Sequence, residues 1–327
     1  TRQVSSAASD VYKRQADIRQ RYEEIFAVCA QSNGGFDHLP DPRVYENVSI
    51  DERHALWDAL YDAPGFALLL ANFRETFLEA EPNRDLSDYV AERIRARVND
   101  PQVAEKLIPR DHGFGMRRMP METDYFEAYN RDNVRLVSLL DTPIERITKT
   151  GLQTSEEGFD FDVLVYATGF DVMTGAFDKI DIRGENGQRL KEKWQGSPTT
   201  YLGVMVNGFP NMLMVAGPQS VSGSTNYPRA IEACVDWIGE FLEHARAAGL
   251  SRLEADADAE ATWTQEVIDM QEAMPFSKVK SWFTGFNANV QAADAAPRYI
   301  AYWGGAPRYT KILSRVASRG FRDINMD

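Results

Sequence analysis

The chain has 327 residues, 43% of them hydrophobic and six of them Trp, which gives it material for a packed core of two-domain size and excludes a disordered chain. A formal net charge of −13, spread along the sequence, argues against nucleic acid and against an anionic membrane surface as partners. Two cysteines, Cys29 and Cys234, are too few for a disulfide framework or a cysteine metal cluster and point to a reducing, cytoplasmic compartment, while the longest apolar run, around Phe66 to Leu70, is far too short to span a bilayer.

The first residue is Thr1, not Met, so the chain reads as a piece of a longer reading frame. Ser5 to Gln15 (SSAASDVYKRQ) resembles translated sequencing-adapter text, and residues 1–15 are set aside as a non-native segment. From Ala16 to Leu107 the period is helical. Ile18, Tyr22, Ile25, Phe26 and Cys29 share one face, and Asn33-Gly34-Gly35 stops that helix. Ser49-Ile50-Asp51-Glu52 is a capping box, and Pro64-Gly65 breaks the helix that follows. Phe66 to Ala80 is the next helix, ended by Pro82; Leu86, Tyr89, Val90, Ile94 and Val98 then form a stripe behind an Asn83 cap. Asp100-Pro101 starts a last short helix that Pro109 closes. His38 and His54 read as surface or packing residues.

Near Gly113 the pattern changes. Val134 to Leu139, Ile144 to Thr148 and Phe161 to Tyr166 predict strands, the last buried on both faces and ending in Ala167-Thr168-Gly169. Further strands are predicted at Tyr201 to Val206, Met212 to Ala216 and Tyr299 to Trp303. Asn226 to Ala248 predicts a long helix with Ile231, Val235, Ile238 and Leu242 inward and Gly249 as its cap. Helices are also predicted over Ala257 to Met270 and Pro307 to Ala317. There is no internal repeat.

Four segments carry the candidate chemistry. They are Gly113-Phe114-Gly115-Met116-Arg117-Arg118-Met119-Pro120, the strand end Ala167-Thr168-Gly169-Phe170-Asp171, the Gly208 to Ser220 stretch that runs into Gly217-Pro218 and a Ser-rich loop, and Lys280-Ser281-Trp282-Phe283-Thr284-Gly285-Phe286-Asn287. Taken singly, each has a plain alternative: Arg118 in a structural ion pair, Trp282 as a core aromatic, Gly217 to Asn226 as an ordinary strand–loop–helix connection. No G-x-S-x-G elbow supports a hydrolase, and no H-E-x-x-H or Cys/His cluster supports a metal enzyme.

In order and wording, RRMP…YFEAYNRDNVRLV…ATGFD…TGAF…IDIRG…YLGV…GFPNM…GP.S resembles the C-terminal part of a Baeyer–Villiger monooxygenase over residues 16–327. The resemblance implies an α/β flavoprotein with Rossmann-like FAD and NADP domains and an all-helical insertion, here incomplete. It divides the chain into a helical domain at 16–112, the end of the NADP domain at 113–172 and the end of the FAD domain at 173–327. The implied reaction inserts one oxygen atom of O2 into a small-molecule ketone through a flavin peroxide, giving an ester or lactone, with FAD and NADPH as cofactors. Arg118 takes the catalytic role, as a fixed guanidinium where negative charge develops. Arg117 stands near the NADPH 2′-phosphate, where relatives commonly have lysine. Ala167, Thr168, Gly169, Phe170, Gly217, Pro218, Ser220 and Trp282 fall on the cofactor side, and Ser222, Gly223 and Ser224 on the substrate side. The Asn289 to Ala295 loop departs from the family's commoner wording. The sequence contains no G-x-G-x-x-G, so the resemblance also implies weak FAD binding by this chain alone. N- or S-oxygenating flavin monooxygenases, or a non-catalytic truncated product, are the alternatives.

Overall fold

The structure, a computed structural model, describes residues 13–171, 173–222, 224–287 and 295–327. The expectation for residues 1–12, the Gly223 assignment and most of the Asn289 to Ala295 loop lie outside the described residues. Residues 13–20 are helical and lead into α1 (Tyr22–Cys29).

The helical region follows its periodicity in part: Cys29 is buried, but Ile18, Tyr22 and Phe26 of the same expected stripe are exposed. Helix α2 (Ile50–Asp62) starts at a complete capping box, with Ser49 Oγ accepting from Glu52 N and Glu52 accepting from Ser49 N. Helices α3 (Ala67–Leu70) and α4 (Glu75–Leu78) replace the single helix expected over Phe66 to Ala80. Helix α5 then begins at Ala80 and runs to Arg97, so Pro82 opens a helix where the sequence suggested an end. Proline is tolerated in the first turn because the amide it lacks has no intrahelical acceptor there. Asn83, expected as a cap, is buried inside that turn. Leu86, Tyr89, Ile94 and Val98 do point inward. Helix α6 (Pro101–Leu107) is capped by Asp100, which accepts from Gln102 N and Val103 N. The core here is Trp57, Phe73, Leu86 and Tyr89, with Trp57 Nε1 donating to Asn72 Oδ1 at 3.0 Å. His54 packs its ring on Trp57 and Tyr89.

Strands are fewer than expected. β1 (Ile144–Ile147), β2 (Gly151–Thr154) and β3 (Gly158–Asp160) form an antiparallel meander. Val134 to Leu139 joins no ladder. Phe161 to Tyr166 is neither a strand nor buried: Val163 is 76% and Val165 78% exposed. Its β-branched residues suit a half-buried pleat, but among the described residues no strand pairs with it, and a strand exists only through its neighbours.

Tyr201 to Val206 is buried yet not a strand. Leu202 and Gly203 adopt positive φ, and the chain folds back so that Tyr201 N donates to Met205 O at 2.8 Å. Met212 to Ala216 and Tyr299 to Trp303 also run outside any sheet. Their backbone groups are met individually: Met214 N donates to Val204 O, Gln219 N to Ile300 O, and Gln219 Nε2 to Tyr299 O.

Helix α7 (Tyr227–Ala248) ends at Gly249 in the left-handed region, as expected. Its inward stripe is Cys234, Trp237, Phe241 and Ala245, with Ile238 partly buried, whereas Ile231, Val235 and Leu242 are exposed. The stripe is turned by about one residue because Trp237 packs edge-on and Phe241 at a tilt against Phe321, and Trp237 Nε1 donates to Leu313 O. β4 (Leu253–Ala255), α8 (Ala257–Glu272), α9 (Ala306–Ser318) and β5 (Ile324–Met326) complete this half, with β4 and β5 antiparallel. Among the described residues, no helix is long and apolar enough to cross a membrane.

Candidate functional site

The arginine loop is fixed from below by α5. Asn83 Nδ2 donates to Thr76 O at 2.7 Å and to Phe114 O at 2.9 Å, and Phe114 N donates to Ser87 Oγ at 2.8 Å. A Cβ on Gly113 would stand 1.9 Å from Asn83 Oδ1, so only glycine passes here. Gly115 adopts φ +76° and lets the chain turn under Leu69.

Beyond that turn the two arginines part. Arg117 Nη2 binds Asp111 Oδ2 at 2.7 Å, and His112 Nδ1 lies 2.7 Å from Asp111 Oδ1. The His112 contact is the largest effect and holds the Asp111 carboxyl below its usual range; burial, next in size, opposes it, and the Arg117 charge adds to the lowering. Arg117 Nε is buried without a hydrogen-bond partner. Arg118 instead lays its guanidinium over the Phe66 ring, Cζ at 4.2 Å from the centroid. Burial lowers its pKa, and the Tyr227 phenol acts in the opposite sense. Tyr227 in turn is pushed up by burial, opposed by Arg118. Both arginines line a cleft of about 720 Å³ with Phe66, Leu69, His112 and Tyr125.

Two of the four predicted segments, and the chain just after a third, meet at one aromatic cluster. Phe276, Phe283, Ile300 and Trp303 form it; Met116 of the arginine loop, Met173 just after Asp171, and Trp282 pack against it. The Tyr227 hydroxyl reaches Met173 Sδ at 3.8 Å, which links α7 to the same place. Trp282 is therefore a partly buried rim residue of this cluster. Ala167 to Phe170 lies open to solvent, with Phe170 90% exposed and its carbonyl accepting from Asn287 Nδ2 at 3.4 Å.

The Gly217 to Ser222 stretch is turned into the protein. Gly217, Pro218 and Ser220 are buried, and Ser220 Oγ donates to Gly217 O at 2.6 Å. Pro218 O accepts from Thr200 Oγ1. Ser222 Oγ pairs with Thr225 Oγ1 at 2.9 Å, and Ser224 Oγ is buried without a partner. Ser222 and Ser224 line a smaller cavity of about 230 Å³ with Trp303 and His38. These residues line a cavity separate from the arginine cleft, and Leu69 lines both.

Phe66, Tyr227, Gln219 and Arg298 were not singled out from sequence. Tyr227 had a usable signal, since it follows the Ser-rich loop at the first turn of a long helix. Gln219 is fully buried and bonds Pro198 O, Tyr299 O and Thr200, a hub that no local pattern announces.

No family model matches the chain. It is 37% identical over 309 residues to 2-oxo-Δ3-4,5,5-trimethylcyclopentenylacetyl-CoA monooxygenase of Pseudomonas putida, covering 94% of this chain and 56% of that protein. A Phenazine N-monooxygenase of Lysobacter antibioticus is 36% identical over 98% of this chain and 57% of its own length. A Baeyer–Villiger monooxygenase of Pseudooceanicola batsensis is 31% identical over 95% of this chain and 56% of its own length. Among solved structures, OTEMO in complex with FAD and NADP superposes with a TM-score of 0.90 at 36% identity, covering 97% of this chain and 58% of that one. The chain thus spans somewhat over half the length of the relatives it matches. By sequence and by fold, its homologues are Baeyer–Villiger monooxygenases, which it matches over a portion of their length.

Proposed function

We propose that this chain carries the arginine-bearing side of a site that inserts one oxygen atom of O2 into a ketone, giving an ester or lactone, with FAD and NADPH as cofactors. The observation that carries the reading is Arg118, a partly desolvated guanidinium stacked on Phe66 and beside Tyr227, at the wall of a large cleft. Arginine keeps its charge under desolvation that would neutralise a lysine. Held in place before reaction, it stabilises negative charge that develops on oxygen without reorganising at that moment.

The residues present fit part of what the cofactors need. Arg117, its Nε buried and unpartnered and its Nη2 held by Asp111, suits a phosphate beside the cleft; arginine can bind it bidentately. Trp282, Met173 and Met116 offer an apolar wall that excludes water. The sequence holds no G-x-G-x-x-G loop for either pyrophosphate. When bound, FAD and NADPH supply the electrons that activate O2. The chain's own residues orient and shield: Phe66 fixes the guanidinium plane, Tyr227 stands near enough to act on its charge, and the aromatic cluster closes one side. In this reading residues 16–112 are a helical domain, 113–172 belong to an NADP domain and 173–327 to an FAD domain. Ala167, Thr168, Gly169 and Phe170 reach their cofactor role only against chain that this sequence does not provide.

A second reading, N-oxygenation, is favoured by the Lysobacter relative, whose identity to this chain nearly equals the highest quoted above. The test is a chimera in which the part of the Pseudomonas putida relative not spanned here is joined to this chain. NADPH oxidation that depends on a cyclic ketone, with lactone as product, supports the first reading. N-oxide from an aromatic amine with no lactone supports the second.

A further inference from the structure

Arg298 is among the most buried cations described, 8% exposed, and it belongs to none of the segments discussed so far. Its side chain joins two of them. Nε donates to Gly285 O at 2.6 Å, Nη1 donates to Thr174 Oγ1 at 2.9 Å, and Nη2 lies 3.6 Å from Asp171 Oδ1. Its backbone is fixed as well, with Arg298 N donating to Thr284 O at 2.8 Å and its carbonyl accepting from Gln271 Nε2 at 3.3 Å. Gly285 adopts φ +69°, and a Cβ there would stand 2.5 Å from Arg298 Cβ, so glycine is what admits the close approach.

Neither segment has a sheet to hold it. The Trp282–Thr284 turn is a single turn capped by Ser281, and Phe170, Asp171, Met173 and Thr174 lie in no helix or strand. Asn287 Nδ2 on Phe170 O is the outer tie between them. The buried fork of Arg298 is the inner one. Its rigid, planar set of donors can meet a carbonyl, a hydroxyl and a carboxylate on different sides at once, which a single ammonium cannot.

We propose that Arg298 is a positioning residue that locks the Trp282–Thr284 turn to the Asp171–Thr174 segment, and so fixes where Trp282 and Phe170 stand relative to each other. The significance of that placement for a nicotinamide cofactor rests on the function proposed above; the lock itself does not.

Amide hydrogen exchange on the 327-residue chain tests it, comparing the parent with Arg298→Met, Arg298→Lys and Thr174→Val. Arg298→Met is expected to speed exchange at residues 281–287 and 171–178 together by about tenfold or more. Arg298→Lys falls between it and the parent, and amides of α2 and α7 stay unchanged. Thr174→Val leaves the guanidinium and its bonds to Gly285 and Asp171 in place, so it decides the matter even if Arg298→Met does not fold. It is expected to give a smaller rise in both segments. A rise in one segment only, a uniform rise across the chain, or no change in Thr174→Val overturns the proposal. In the chimera, Arg298→Lys is expected to raise KM for NADPH about fivefold or more with kcat little changed; an unchanged KM overturns the link to the cofactor. A chimera without ketone-dependent turnover counts against the oxygenase reading alone, and the exchange pattern still decides the lock.

Discussion

Asn83 decides where Arg118 stands, though the two do not touch. Its amide spans α4 and the arginine loop by donating to Thr76 O and Phe114 O, both through Nδ2. Asn83→Ala leaves two carbonyls without their donor in a region closed to water. The cost expected is about 1–3 kcal/mol, read as a fall in the urea midpoint; an unchanged midpoint contradicts the anchoring role. The arginine pair was legible in the sequence because a Gly-x-Gly turn, two adjacent cations and Pro120 stand together. What each cation touches was not legible. Phe66 lies far away along the chain, and Tyr227 farther still, so the stacking of Arg118 and its desolvation exist only after the helical region and α7 pack against the loop.

Elements differ in how much of them local sequence determines. The helices at 50–62, 101–107, 227–248 and 257–272 were legible because period, caps and breakers lie within each one. Of the expected strands, Ile144 to Thr148 forms one; the others do not among the described residues, since a strand needs partners remote in sequence, and Tyr201 to Val206 or Tyr299 to Trp303 are apolar enough to be buried without joining a sheet. Pro82 misled for a related reason: proline ends a helix or opens one depending on where the preceding chain turns. Phe161 to Tyr166 is the sharpest case. With Val163 and Val165 exposed, the double substitution Val163→Lys with Val165→Lys is expected to change stability by no more than about 0.5 kcal/mol per site and to reduce self-association. Thermal unfolding and light scattering of the 327-residue chain check this. A loss of several kcal/mol would mean that these side chains are packed after all.

Across the whole molecule, alkaline pH probes the cores together. Burial pushes Tyr45 and Tyr302 up to about 12 and raises Tyr201 and Tyr309 further. An unfolded phenol titrates near 10, so between about pH 10 and 12 the unfolded state releases protons that the folded state retains. Stability from these groups is therefore full below about pH 10 and is lost as pH rises through the folded values. Unfolding midpoints should fall steeply across that window, with the phenolate absorbance of these buried tyrosines appearing only as the protein unfolds; complete ionisation of all 13 tyrosines near pH 10 in the folded protein contradicts it. The same scale bounds what this chain does by itself. It brings the arginine loop, Met173 and Trp282 around one aromatic cluster, yet it spans somewhat over half the length of its relatives. The measurement that bears most directly on the account is lactone formation from a cyclic ketone by the chimera, with and without Arg118→Met. Removing a preorganised donor of this kind is expected to lower the rate by about 10²–10³, or ~2.7–4 kcal/mol of barrier, while the chimera stays folded. Lactone formed at the parental rate by Arg118→Met would contradict the role assigned to that guanidinium.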